Sequence, residues 1–254
     1  MIIASASMLG DYIDCKRKAY YRINKIRVPP TASMIVGRVI HDMVVDLEKG
    51  RDRSWRRKQL TVELTQTKAK FARGQTIPNL LNLVDTCLAN YKKLRIDLPG
   101  IWELEESFSL TGDGVKIVGR FDQLRKGDTI VELKTGKWEP TKEFLEADLQ
   151  TTLYMWAYRE LFDVMPIYYY IHLSSGSLYQ QYRNDFTNLL DLIDDFMTDC
   201  NRDALRKQLN GYRCGRCDFN KHCLDGKNTS KLITTASPQI PAYKPPSVRG
   251  KFFE

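Results

Sequence analysis

Apolar residues recur at helical spacing through the first hundred positions and give way to strand-like alternation after Pro99-Gly100. Ser5 or Ser7 can cap a first helix running to about Asn24. Pro29-Pro30 breaks the chain, and a second helix beginning near Ser33 carries Ile35, Val39, Met43 and Leu47 on one stripe. A third follows Pro78, with Leu80, Leu81, Val84, Leu88 and Tyr91 buried and Cys87 among them as a small core hydrophobe. Strands are then predicted over 101–110, 115–124 and 129–135. Thr141 caps a long helix to about Phe162, and strands at 167–173 and 177–183 flank the turn Ser174-Ser175-Gly176. An amphipathic helix over 186–209 holds Cys200. This order predicts an α/β fold, a mixed β-sheet flanked by helices, with the early helices forming a lobe.

The chemistry concentrates in Gly119 to Lys134, GRFDQLRKGDTIVELK. It reads as a β-hairpin with Asp122 on its first arm and Glu132 and Lys134 on its second. Alternation places Ile130, Glu132 and Lys134 on one face and Val131 and Leu133 on the other. A turn centred on Gly127 sets Asp122 opposite Glu132; a two-residue Lys126-Gly127 loop would shift the register by one and separate them. A three-residue loop or a bulge is therefore expected. Two facing carboxylates beside a lysine suit Mg²⁺ or Mn²⁺, which bind carboxylate oxygen, water and phosphate. Such an ion can generate hydroxide and polarise a phosphodiester, with the lysine holding the nucleophile or developing charge. On spacing alone, an exposed hairpin with a salt bridge reads equally well. On the preceding strand Glu105 or Glu106 could add a carboxylate, and the reading weighs against either one singly.

At 254 residues with 43% hydrophobic content, the chain is long enough for one large domain with a real core. Its longest apolar runs are strand-length, so no membrane span is expected. The opening MIIASASMLG has no charged region and no proper apolar core of a signal peptide, so a cytoplasmic, reducing location is expected. The net charge of +8 has the right sign for a polyanion. Between residues 49 and 73, nine basic residues stand against Asp52 and Glu63. Arg56, Arg57 and Lys58 sit in that run. It reads as a solvated helical face or, beside a phosphodiesterase site, as a track for nucleic-acid phosphates, with Trp55 stacking on a base or buried in the core. Cys214, Cys217 and Cys223 form C-x2-C-x5-C. His222 could complete a zinc knuckle, or Cys15 an all-thiolate cluster, and spacing alone favours zinc. No G-x-x-x-x-G-K-[ST] loop is present, so any motor would belong to a partner.

The order G-x-x-D, hairpin, V-E-L-K resembles the PD-(D/E)XK nuclease superfamily, from about residue 5 to 225. Gly37-Arg38-Val39-Ile40-His41 and Gln150-Thr151-Thr152-Leu153-Tyr154 resemble the G-x-x-x-H and Q-x-x-x-Y motifs of its RecB-like branch. The superfamily's proline before the aspartate is Phe121 here, as is usual in that branch. The resemblance implies a restriction-endonuclease-like fold and a Mg²⁺ or Mn²⁺ site of His41, Asp122, Glu132 and the Leu133 carbonyl. Lys134 would be catalytic, and Gln150 and Tyr154 would hold the strand. Lys137 and Trp138 are expected as further DNA contacts from proximity alone. One early cysteine and three late ones also resemble the iron–sulfur members, the Cas-four type CRISPR-associated exonucleases and the AddB nuclease domain. That implies a 4Fe–4S cluster on Cys15, Cys214, Cys217 and Cys223, stapling the two ends of the domain, in place of zinc.

The expected activity is a metal-dependent deoxyribonuclease, a single-stranded DNA exonuclease acting at free ends in recombination, repair or phage DNA metabolism. The alternatives are a CRISPR nuclease trimming DNA before spacer integration and a non-catalytic DNA-end binder. A helicase, a recombinase or an integration complex would be its partner. Residues 1–225 are expected to form the nuclease domain, with a basic helical lobe at about 25–100 and the catalytic sheet at about 101–183. Residues 226–254, rich in proline and basic side chains, read as a mobile tail or docking peptide.

Overall fold

The computed structural model describes residues 1–26, 28–66, 69–201, 205, 214, 217–219 and 223. In chain order it comprises β1 (Ile2–Ala4), α1 (Ala6–Asp14), α2 (Lys16–Ile23), α3 (Ala32–Glu48), α4 (Ser54–Gln66), α5 (Ile77–Leu94), β2 (Ile101–Gly112), β3 (Val115–Arg125), β4 (Thr129–Lys134), α6 (Lys142–Ala147), α7 (Leu149–Phe162), β5 (Ile167–His172), β6 (Ser177–Gln181) and α8 (Thr187–Asn201). The chain divides into two compact units. The first holds Met1–Val28, Ser109–Gly119 and Asp185–Glu254; the second holds Pro29–Phe108 and Arg120–Asn184. Strand β3 runs through both.

In the first unit β1 pairs in parallel with the start of β3, Ile2 opposite Val115 and Ala4 opposite Ile117. The expected single helix to Asn24 is two, because Cys15 adopts an extended conformation between α1 and α2. A one-residue break leaves the apolar stripe intact, so periodicity does not report it. Buried Asp11 holds α1 to α2 through Lys18 at 2.6 Å and Arg22 at 2.6 Å. Tyr12 donates to Asp199 of α8 at 2.6 Å.

In the second unit the end of β3 pairs antiparallel with β4, β4 runs parallel to β5, and β5 antiparallel to β6. The mixed sheet is covered on both faces. Val131, Leu133, Ile171 and Leu173 pack beneath Ile35, Val39, Met43, Val84 and Leu88 of α3 and α5. On the other side Tyr154 of α7 sets its ring edge-on to Phe108 and Phe121, with centroids 5.5 and 5.4 Å away. The expected long helix over 141–162 is split into α6 and α7 at Asp148, whose carboxylate accepts from the Thr151 N–H at 2.9 Å and so starts α7 afresh.

A buried polar network ties the helices to β3. Arg125 donates to Gln123 Oε1 at 2.9 Å, to the Pro99 carbonyl at 2.7 Å and to the Tyr91 hydroxyl at 3.2 Å. The Tyr91 hydroxyl in turn donates to Glu48 at 2.6 Å. Replacing Arg125 by methionine keeps the volume and orphans the Pro99 carbonyl and Gln123 Oε1. The expected loss is about 2–4 kcal/mol, read as a lower urea midpoint with an unchanged slope. A change under about 0.5 kcal/mol, the size usual for surface substitutions, would show that the network holds nothing.

Candidate active site

The hairpin forms as its spacing requires. Gln123 faces Val131, Leu124 faces Ile130 and Arg125 faces Thr129, a register centred on Gly127. The turn is the three residues Lys126–Asp128, with Gly127 at φ +70° and Asp128 at +51°, both left-handed. The pairing runs up to Gln123 and Val131. Asp122 and Glu132 sit just past it, next to one another on the two strands, close enough for the charge of Asp122 to act on Glu132. Asp122 Oδ2 accepts the Leu133 N–H at 2.8 Å, so the Leu133 main chain meets the site through its amide. Asp122 Oδ1 lies 3.3 Å from Nδ1 of His41, which α3 brings over the strand ends.

Glu132 is 2% exposed. Lys134 Nζ and Gln150 Nε2 both donate to its Oε1 at 2.6 Å, and Lys134 also donates to Gln150 Oε1 at 2.7 Å. Lys134, Glu132 and Gln150 thus close a triangle. The other carboxylate oxygen, Oε2, is buried with no hydrogen-bond partner. An orphaned carboxylate oxygen is costly in an apolar setting and suits a cation. Burial, and then the charge of Asp122, pushes the Glu132 carboxyl up to about 7 against the opposing pull of Lys134. Burial lowers Lys134, but the carboxylates led by Glu132 more than offset this and hold its ammonium charged well above the ordinary lysine range. His41 is also pushed down by burial, yet Asp122, Glu132 and Glu105 lift it to about 9.

Glu105 is the residue that sequence reasoning turned away. One ligand atom each from His41, Glu105 and Asp122 lies within 4.8 Å of the others, the one such group among the described residues. Burial, followed by the charge of Asp122, raises its carboxyl, and Arg120 Nε holds it at 2.8 Å. Glu105 sits at φ +57°, left-handed for a side-chain-bearing residue. At that point the strand's alternation slips, so Leu104 and Glu105 are both half-buried while Glu106 is exposed. Two neighbouring glutamates were the only available signal.

The remaining candidates fall into three groups. Gln150 is within the triangle, whereas Tyr154 is buried behind the site, its hydroxyl pushed up to about 12 by burial and then by Glu132. Lys137 and Trp138 are exposed just past β4. In the basic run, Arg56 is held by Asp46 at 2.8 Å and Asp42 at 2.9 Å, Arg57 reaches Asp85 at 3.1 Å, and Lys58 is exposed. Part of that positive charge is met by acids of α3 and α5 that lie outside the run itself.

Cys15, Cys214, Cys217 and Cys223 all belong to the first unit. Arg17 Nη1 donates to Cys223 Sγ at 3.7 Å. Burial raises the Tyr21 hydroxyl to about 12, helped by its hydrogen bond to Cys223 and by the field of Cys15. Burial also raises Cys217, with Cys15 adding to the shift. His222 and the 226–254 segment lie outside the described residues.

A divalent ion must displace protons to enter this pocket. His41 and Glu132 carry theirs below about 9 and about 7 respectively, and neither can ligate while protonated. Mn²⁺ affinity is therefore expected to rise with pH, by about tenfold or more between pH 6 and 7, and to level off above 9. Calorimetric titrations across that range check this, and a pH-independent affinity would contradict the protonation states described.

A carboxylate pair on a hairpin, a lysine two residues along and a helical histidine offer a donor set suited to a hard cation. The profile of the PD-(D/E)XK nuclease superfamily matches residues 3–224, and the chain belongs to that superfamily. Among solved structures it is similar to a protein from Eubacterium rectale described as a "Putative exonuclease", with TM-score 0.51, 13% identity and 78% of each chain covered. At that identity the likeness shows the fold alone. A second structure, SSO0001, is more distant, with TM-score 0.38, 16% identity, and 67% of this chain and 81% of that one covered. No curated protein matches the chain significantly. Among the described residues, no helix is long and apolar enough to cross a membrane.

Proposed function

We propose that this protein is a divalent-metal-dependent deoxyribonuclease that degrades single strands from a free end. The observation that carries the proposal is the buried, unpartnered Oε2 of Glu132, whose carboxyl feels the charge of Asp122. The donor group of His41, Glu105 and Asp122 fits Mg²⁺ or Mn²⁺, and Glu132, whose carboxyl feels the charge of Asp122, would add a fourth ligand. When bound, such an ion polarises the phosphodiester and lowers the pKa of water. The chain's own residues do the rest. Lys134, charged and held by Glu132 and Gln150, orients the attacking water or takes up charge developing on the phosphate. Gln150 fixes the lysine's direction, and the Leu133 N–H fixes that of Asp122. Single-stranded DNA labelled at one end or the other and incubated with Mn²⁺ tests the reading. Progressive loss from one terminus is expected; no cleavage, or internal cuts alone, would overturn it.

We further propose that Cys15, Cys214, Cys217 and Cys223 hold a 4Fe–4S cluster that acts as a cross-link, with no redox part in hydrolysis. The field of Cys15 at Cys217, the nearness of both Cys15 and Cys223 to Tyr21, and the Arg17 donor on Cys223 support an anionic all-thiolate group. Protein purified without oxygen is expected to be brown with broad visible absorbance. Colourless protein with one equivalent of zinc would replace the cluster with a zinc site.

A further inference from the structure

The loop that leaves β4 after Lys134 is pinned on both sides of its tip. Before the tip, the Gly136 carbonyl accepts from Ser174, and a Cβ on Gly136 would come within 3.6 Å of His172 Nε2. After it, one oxygen of Glu139 accepts from the hydroxyls of Ser175, Ser177 and Tyr179, hydrogen bonds that hold its carboxyl below the usual range. Between these anchors Trp138 is 80% exposed. The other three tryptophans have uses within the fold. Trp156 is buried, Trp102 sets its ring against Phe162, and the Trp55 indole donates to the Asp52 carbonyl. The Trp138 ring has no aromatic partner among the described residues; its one neighbour of note is the Lys137 ammonium, 4.9 Å over the ring. A fixed loop that presents an indole face and a cation to solvent is built for a planar group attached to an anion.

The position narrows the ligand. Trp138 is four residues past Lys134, a reach of at most ~14 Å, or about four nucleotides at ~3.4 Å each. Resting on the nuclease reading above, we propose that Trp138 is a stacking platform for an unpaired base close to the scissile phosphate, with Lys137 at the adjoining phosphate. Every base offers a π-face, so the platform is indifferent to sequence. A base inside a duplex has both faces covered by its neighbours, so the platform favours single strands and frayed ends.

The test measures binding of a labelled single-stranded oligonucleotide and of a blunt duplex to the full-length protein in EDTA, where no cleavage occurs. Trp138→Ala is expected to weaken single-strand binding about tenfold, with less than a twofold change for the duplex and most of the affinity restored by Trp138→Phe. An abasic site scanned along the strand should weaken the wild type at one position at which Trp138→Ala is insensitive. Unchanged single-strand binding, equal losses on both substrates, or no rescue by phenylalanine would each overturn the platform. Cleavage by the wild type in Mn²⁺ is scored separately. If it fails while the binding pattern holds, the nuclease reading falls and the platform stands.

Discussion

Replacing Asp122 with asparagine is expected to lower Mn²⁺-dependent DNA cleavage by at least about 10³-fold while the protein stays folded. Asn keeps a carbonyl able to accept the Leu133 N–H that Asp122 Oδ2 now takes at 2.8 Å, so the junction between β3 and β4 keeps its geometry. What it removes is the charge that His41 faces at 3.3 Å and that Glu132 and Glu105 also feel. Cation binding should weaken with the chemistry, because a ligand is lost along with the field. An unchanged urea midpoint would show that the loss is not one of folding. Retention of more than a tenth of the wild-type rate would mean that Asp122 does not hold the ion.

Lys134→Met is expected to separate binding from chemistry. The rate should fall about 10²–10³-fold, the scale seen when a preorganised donor to developing charge is removed. Mn²⁺ affinity should not fall, because taking a cation from beside Glu132 makes the pocket more negative. Gln150 still donates to Glu132 Oε1 and keeps part of the geometry. Weaker Mn²⁺ binding in this variant would reassign Lys134 from chemistry to the support of Glu132.

The hairpin was legible because strand alternation is strict and the turn chemistry at Gly127 permits few registers. Once its register is set, Glu132 and Lys134 share the face of Ile130 along β4. Asp122 lies just past the paired stretch and is placed by the Leu133 N–H and His41. Glu105 was hidden for the opposite reason. Its left-handed backbone breaks the alternation on which the inference rests, and nothing in E-L-E-E marks which residue takes that conformation. The breaks at Cys15 and Asp148 were hidden because a single non-helical residue leaves the helical stripe on both sides in phase. The partners of the basic stretch were not legible from the run alone. Asp42, Asp46 and Asp85 lie outside it in sequence and against it in the fold. Gln150 was found from its motif, yet its place between Glu132 and Lys134 depends on where α7 begins, and that is set by the Asp148 cap.

The pocket's ability to hold an ion is tested most directly by anomalous diffraction at the manganese edge, from crystals of this protein grown with Mn²⁺. The expected result is a peak in bonding contact with Asp122 and with the Glu132 Oε2 that now has no partner, and with His41 and Glu105 completing the ligand set. Manganese bound elsewhere, with Glu132 Oε2 still bare, would contradict it.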